Sequence, residues 1–190
     1  MVEIPDWLSA TLASDAAEGQ NVLPLELRPI IPGTRVVGPA LVVLASQDDN
    51  QVIRHVLAET SLSGQVLVVS GHGRSTAATI GGLIALELKQ KGCPGVITDG
   101  LVRDSAEIRA LDLPVWCRGF TPMASNKANP GVIGSPIRIG NAIIHSGDLV
   151  IADDDGVVIW PSERLDEYFY KAKRRFDSDQ ERLRRLRSHD

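Results

Sequence analysis

Apolar residues in this chain change their spacing several times, and each change marks an element. Residues 35–45 carry Val36, Val37, Leu41, Val42, Val43 and Leu44, a β-rich run, and residues 52–59 space their apolar positions as a helix does. Residues 65–70 read as a short apolar strand running into Gly71-His72-Gly73-Arg74-Ser75-Thr76. A helix opening at Gly81-Gly82 carries Leu83, Ile84, Leu86 and Leu88. It stops at Gly92, with Lys89 and Lys91 near its negative end. Residues 95–98 then read as a buried strand, 104–111 as a short helix and 115–117 as a strand. Upstream, Pro5-Asp6 and Gly19 bracket a short helix over residues 7–17.

From Gly131 onward Gly, Pro and Asp divide the chain into short strands at 132–133, 136–139, 142–144, 149–152 and 157–160. Alternating strand and helix followed by a meander predicts a layered α/β domain. Its first half is helix-covered sheet and its second half antiparallel. Asp153-Asp154-Asp155-Gly156 lacks the alternating acids and distal Glu of a calcium loop, and Asp155-Gly156 reads as a hairpin turn. Residues 1–161 are expected to form one domain and 162–190 a charged C-terminal helix. That helix has an apolar stripe at Leu165, Phe169, Ala172 and Phe176, then Leu183 and Leu186. Asp179 interrupts it, so a break is predicted near 177–179. A helix with such a face and no core of its own to cover is expected to pack on a neighbouring subunit.

With 190 residues and 43% hydrophobic content the chain can bury a substantial single core. A net charge of −4 gives no global field for nucleic acid, and 4% aromatic residues leave little for base stacking. The arginines of the C-terminal helix alternate with acids, as on a solvated or subunit-packing face. No basic leader and no membrane-length apolar run is evident, so a cytoplasmic protein is expected. Cys93 and Cys117 lack a metal spacing and read as reduced structural thiols.

Candidate chemistry centres on Gly82, Arg103, Asp104 and Glu107. A guanidinium is a planar, permanently charged fork for a carboxylate or enolate, and two acids three apart place oxygen ligands on one side of a helical turn. Asp-x-x-Glu is also a capping box, in which Asp104 would accept from the N–H of residue 107 and Glu107 would reach back to residue 104. Gly81-Gly82 opens a helix whose first N–H groups suit an anion, or else allows tight helix–sheet packing. His72 and Arg74 follow a strand and read as a site-lining loop. The segment lacks a phosphate-loop ending and the spacing of a hydrolase elbow.

The spacing Gly-x20-Arg-Asp-x2-Glu from Gly82 to Glu107 resembles the metal-binding branch of the RraA-like family, related to class II 4-hydroxy-4-methyl-2-oxoglutarate (HMG) aldolases. The likeness extends over Pro29 to Ala40, Pro114 to Pro122, and Gly147 through Val158, together roughly residues 30–160. It implies a β/β/α swivelling-domain-like sandwich. It further implies Mg²⁺ or Mn²⁺ held by Asp104 and Glu107, directly or through water. The N–H groups of Leu83 and Ile84 would cradle a pyruvyl carboxylate, Gly82 leaving them room, and Arg103 would hold the keto-acid oxygens and act catalytically. Some aldolase relatives carry Asp where Gly82 stands, so here more of the metal rests on Glu107. The implied activities are retro-aldol cleavage of HMG-type acids to pyruvate and decarboxylation of oxaloacetate by a homotrimer or hexamer, with metal-bound water expected as the base. The same family contains protein-binding regulators of ribonuclease E, the rival reading. A methyltransferase finds no support, because no G-x-G-type cofactor loop is present.

Overall fold

The computed structural model describes residues 4–71 and 73–188; His72 lies outside them. The helices are Ala10–Ala16 (α1), Gln51–Glu59 (α2), Gly82–Gln90 (α3), Ser105–Ala110 (α4) and Leu165–Arg187 (α5). The strands are Arg28–Pro29 (β1), Val36–Leu44 (β2), Val66–Ser70 (β3), Ala78–Ile80 (β4), Val96–Thr98 (β5), Leu101–Val102 (β6), Val115–Cys117 (β7), Gly119–Phe120 (β8), Val132–Ile133 (β9), Ile137–Ile139 (β10), Ala142–Ile144 (β11), Leu149–Asp153 (β12) and Gly156–Trp160 (β13).

The main sheet runs β1-β7-β5-β3-β2-β12-β13, with β9 also paired to β2. Its centre, β7-β5-β3-β2, is parallel, and β12 and β13 are antiparallel, as the pattern of elements predicts. Alternate residues of each strand enter different cores. Leu67 and Val69 of β3 join Leu41 and Val43 of β2 under α2, α3 and α4. Val66 and Val68 join Ala40 and Val42 on the other face, with Trp116, Val150 and Ile159. Both faces of β3 are covered, which is why its sequence is continuously apolar rather than alternating. The sheet curls around this second core: indole N–H of Trp116, near one edge, donates to the Asp153 carbonyl at 2.9 Å. The result is a mixed α/β sandwich with a nearly closed sheet, matching the fold expected.

The C-terminal helix departs from expectation twice. The first turns of its stripe are covered within the chain, where Tyr168 and Ala172 are buried with Leu8, Ala13 and Trp160, and Leu165 and Phe169 pack beside them, whereas Leu183 and Leu186 are exposed. Phe169 meets Trp160 edge-on at 5.2 Å, and Phe176 stacks on Trp7 at 5.1 Å. These turns therefore have a core of their own. The predicted break near 177–179 is also absent, because α5 continues from Leu165 to Arg187. Lys173 pairs with Asp177 and Arg175 with Asp179, both one turn apart, so the aspartates lie along a solvated face rather than ending the helix.

The triple-aspartate turn is structural. The side chain of Asp153 accepts from the Ala10 N–H at 2.7 Å, Asp154 from the Gly33 N–H at 2.9 Å, and Asp155 from the Thr11 hydroxyl at 3.0 Å. The β12–β13 hairpin thus ties the N-terminal segment to the sheet.

Candidate active site

A second, three-stranded parallel sheet, β4-β6-β8, builds the site. Ile80 and Val102 are register partners, and the Arg103 N–H donates to the Ile80 carbonyl at 3.1 Å. The carboxyl ends of β4 and β6 are therefore neighbours. One delivers Gly81-Gly82 into α3 and the other delivers Arg103-Asp104 into α4. The spacing from Gly82 to Arg103 is the length of chain needed to travel out along α3, back along β5, and onto the adjacent strand.

Asp104 does not cap its own helix. Its backbone is left-handed, at φ 57° and ψ 40°, whereas a capping residue is normally extended, and no side-chain cap bond forms. This turn aims the carboxylate across at the neighbouring strand end. Asp104 Oδ2 accepts from the Gly82 N–H at 3.1 Å and lies 3.4 Å from Arg103 Nε. Glu107 also leaves the capping geometry: its Oε2 occupies the space that a Cβ on Gly82 would fill. A Cβ on Gly81 would come 2.7 Å from Asp104 Oδ2 and 2.9 Å from Arg103 Nε. Both glycines allow this close approach, and neither has an unusual φ. Gly82, Arg103, Asp104 and Glu107 thus form one cluster.

On one side of Arg103 lies a cavity of about 110 Å³ whose lining includes Gly81, Leu83, Ile84, Asn50, Arg54 and Lys127. Helix α3 has no side-chain cap from Gly81; the Gly82 N–H is taken by Asp104, and the start of the helix at Leu83 and Ile84, with its positive dipole end, borders this space. On the other side Arg103 and Asp104 line a shallow hollow of about 360 Å³ with Phe120 and Thr121. A wider cleft, about 680 Å³, shares no lining residue with either and contains none of the motif.

Asn50, Arg54 and Lys127 escaped sequence reasoning because they come from two remote segments with no motif. Asn50 is held by its Nδ2, which donates to the Thr79 carbonyl at 3.1 Å; its Oδ1 is buried without a hydrogen-bond partner among the described residues. Asp49 fixes the segment bearing Lys127. Its carboxylate accepts from the N–H groups of Gln51, Ala128 and Asn129 at 2.9, 2.9 and 3.1 Å. Burial alone would raise the Asp49 pKa, but these donors outweigh it and hold the carboxyl below its ordinary value. Asp48 is likewise lowered, by the N–H groups of Ala77 and Thr76. The run Asp48-Asp49-Asn50 before α2 was the available signal, a cluster of turn-formers with more acceptors than one helix start needs.

Among the described residues, no group of three or more His, Cys, Asp and Glu is placed to hold a metal. The donor set at the motif is two carboxylates, Asp104 and Glu107. Magnesium commonly binds through one or two carboxylates, completing its shell with water and substrate oxygens, so this pair fits such an ion. Burial raises the Cys93 thiol and pushes Cys117 up to about 11, so both are inert. No helix among the described residues is long and apolar enough to cross a membrane.

Fold and site define a mixed α/β protein with a helix start beside an arginine and two carboxylates. The chain belongs to the RraA-like family, described as Aldolase/RraA, whose model matches residues 10–159. A Halalkalibacterium halodurans protein, provisionally named a 4-hydroxy-4-methyl-2-oxoglutarate aldolase, is 34% identical over 179 residues, 94% of this chain and 85% of its own. Two solved structures are each 30% identical. Streptomyces coelicolor RraAS2, titled an unusual member of the RNase ES inhibitor RraA protein family, has a TM-score of 0.80 and covers 95% of this chain and 93% of its own. The RNA-processing inhibitor RraA from Thermus thermophilis has a TM-score of 0.74, covering 81% and 93%.

Proposed function

We propose that this protein is a divalent-metal-dependent aldolase that cleaves HMG-type 4-hydroxy-2-oxo acids to pyruvate and decarboxylates oxaloacetate. The observation that carries this reading is the convergence of Arg103, Asp104 and Glu107 on the Gly81-Gly82 helix start. The aldolase names among its relatives support it at the family level.

Both reactions break the C3–C4 bond of a 2-oxo acid and leave its electron pair as pyruvate enolate. In the cleavage, the C4 hydroxyl loses its proton as C4 becomes a carbonyl. In the decarboxylation, C4 departs as carbon dioxide. Either way C3 is then protonated to give pyruvate. Held by Asp104 and Glu107, Mg²⁺ or Mn²⁺ would supply Lewis acidity at the keto-acid oxygens. The free N–H groups of Leu83 and Ile84 receive the C1 carboxylate, and Arg103 stabilises negative charge developing on the C2 oxygen. Across the same cavity, Arg54 and Lys127 suit the distal carboxylate of a dicarboxylic substrate.

The assembly that accompanies this reading is a homotrimer or hexamer with each site at a subunit boundary. Leu83 is 76% exposed and Phe120 54% exposed, each at the mouth of a hollow beside Arg103. Such residues favour a covering surface. The similarity to RraA structures favours a second reading, a protein-binding regulator of ribonuclease activity. A lactate-dehydrogenase-coupled assay for pyruvate, with HMG and oxaloacetate, separates the two: metal-dependent turnover supports the enzyme, and its absence supports the regulator.

A further inference from the structure

The large cleft shares no lining residue with the motif. It opens at the carboxyl ends of β3 and β5, where Arg74, Arg118 and Arg138 line about 680 Å³ with Asp99 and Glu26. That volume is ordinary for a small-molecule site. The three arginines come from three segments: the loop after β3, the β7–β8 junction, and β10. No ion pair among the described residues involves them, whereas Arg103, Arg164 and Arg175 each meet a carboxylate. Asp99 is buried, and its oxygens accept from the Ser70 hydroxyl at 3.0 Å and the Gly71 N–H at 2.7 Å. Its charge is therefore already engaged at the end of β3.

The walls are built rather than incidental. Arg118 Nη2 donates to the Ser75 carbonyl at 2.6 Å, fixing that guanidinium at the edge of the cleft. The β10–β11 turn presses against the opposite side: Gly140 has φ 57°, and a Cβ there would come 2.8 Å from Pro24 Cγ. Glycine is needed at this turn on both counts.

We infer that this cleft is a binding site for a small di- or tricarboxylate, distinct from the Arg103 cavity. Separate planar guanidinium forks around a wide space match several carboxylates on one molecule, each able to take a two-pronged contact. A single inorganic phosphate would leave much of the space unfilled. The cleft is joined to the reaction site by one short strand, since Asp99 lines the first and Arg103 the second, with β6 between them. Occupancy is therefore placed to influence Arg103.

Titration calorimetry with citrate in metal-free buffer tests this on the full chain. Citrate should bind the wild type and the Arg103→Ala variant alike. Arg74→Gln and Arg138→Gln, singly and together, should weaken it, the pair by roughly tenfold or more through lost charge-assisted bonds. Both side chains are solvent-facing, and unchanged thermal unfolding would show the fold intact. No binding at millimolar citrate would overturn the inference. So would loss of binding in Arg103→Ala with retention in the double variant, or a clear preference for pyrophosphate over citrate.

Discussion

The carboxylate of Glu107 fills the place of the side chain that Gly82 lacks. One position can therefore be filled from either residue. Gly82→Ala should displace Glu107 and lower turnover by roughly tenfold to a hundredfold, while alanine's better helix propensity limits the loss of stability. Combining Gly82→Asp with Glu107→Ala should restore part of the activity that Glu107→Ala removes. Steady-state kinetics of the single and double variants checks this. A double variant no better than Glu107→Ala would show that the overlap has no functional meaning.

Asp104→Asn separates metal ligation from structure. Asparagine tolerates the left-handed backbone at φ 57° and retains an oxygen to accept from the Gly82 N–H, so thermal unfolding should barely move. A neutral amide is a much poorer magnesium ligand, so activity should need far higher magnesium. Full activity at low magnesium would remove Asp104 from the metal site.

How much of this was legible in the sequence differs by element. The strands with Val and Leu runs, and the spacing from Gly82 to Glu107, were readable because burial on two faces and a fixed strand-to-strand return each leave a pattern. The strands β4, β6 and β8 have only two or three residues each, too short for a period, although they place Gly82 beside Arg103. The capping alternative at Asp104 could not be settled from residue types, because it turns on one left-handed φ that aspartate permits without requiring. Asn50, Arg54 and Lys127 are brought together by tertiary contacts with no local signature, among them the Asp49 carboxylate and the backbone bonds of Asn126 to Asp48 and Asn50.

Arg103→Lys keeps the charge but loses the planar fork, and should lower kcat/KM by about tenfold to a thousandfold. Near-normal turnover in this variant would exclude an oriented role for the guanidinium.

Arg54→Ala should raise KM for HMG with a smaller change in kcat, because the C5 carboxylate that Arg54 is proposed to meet keeps its charge while the C3–C4 bond breaks. Exchange of pyruvate methyl protons, followed by NMR, should be nearly unaffected, since pyruvate has no second carboxylate. An equal loss in both assays would place Arg54 at the reacting end instead.

Asp49 ties stability and the site to pH. Because the Asp48 and Asp49 pKa values are lowered in the folded state, their contribution is complete above about pH 4, the ordinary carboxylate value, and fades as pH falls through the folded values. Thermal stability should therefore decline below about pH 4, and Asp49→Asn should flatten that decline. The same variant faces backbone N–H donors with an amide N–H₂, costing about 1–3 kcal/mol at neutral pH and raising KM as the Lys127 segment loosens. A melting temperature unchanged by Asp49→Asn would refute the tether.

Pyruvate release from HMG and from oxaloacetate, measured through lactate dehydrogenase during a magnesium titration, bears on the reaction itself. Turnover should appear with Mg²⁺ or Mn²⁺, vanish with chelator and return when the ion is restored, with Arg103→Lys impaired at every magnesium concentration. Turnover indifferent to chelator, or none with either substrate across the titration, would contradict a metal-dependent aldolase.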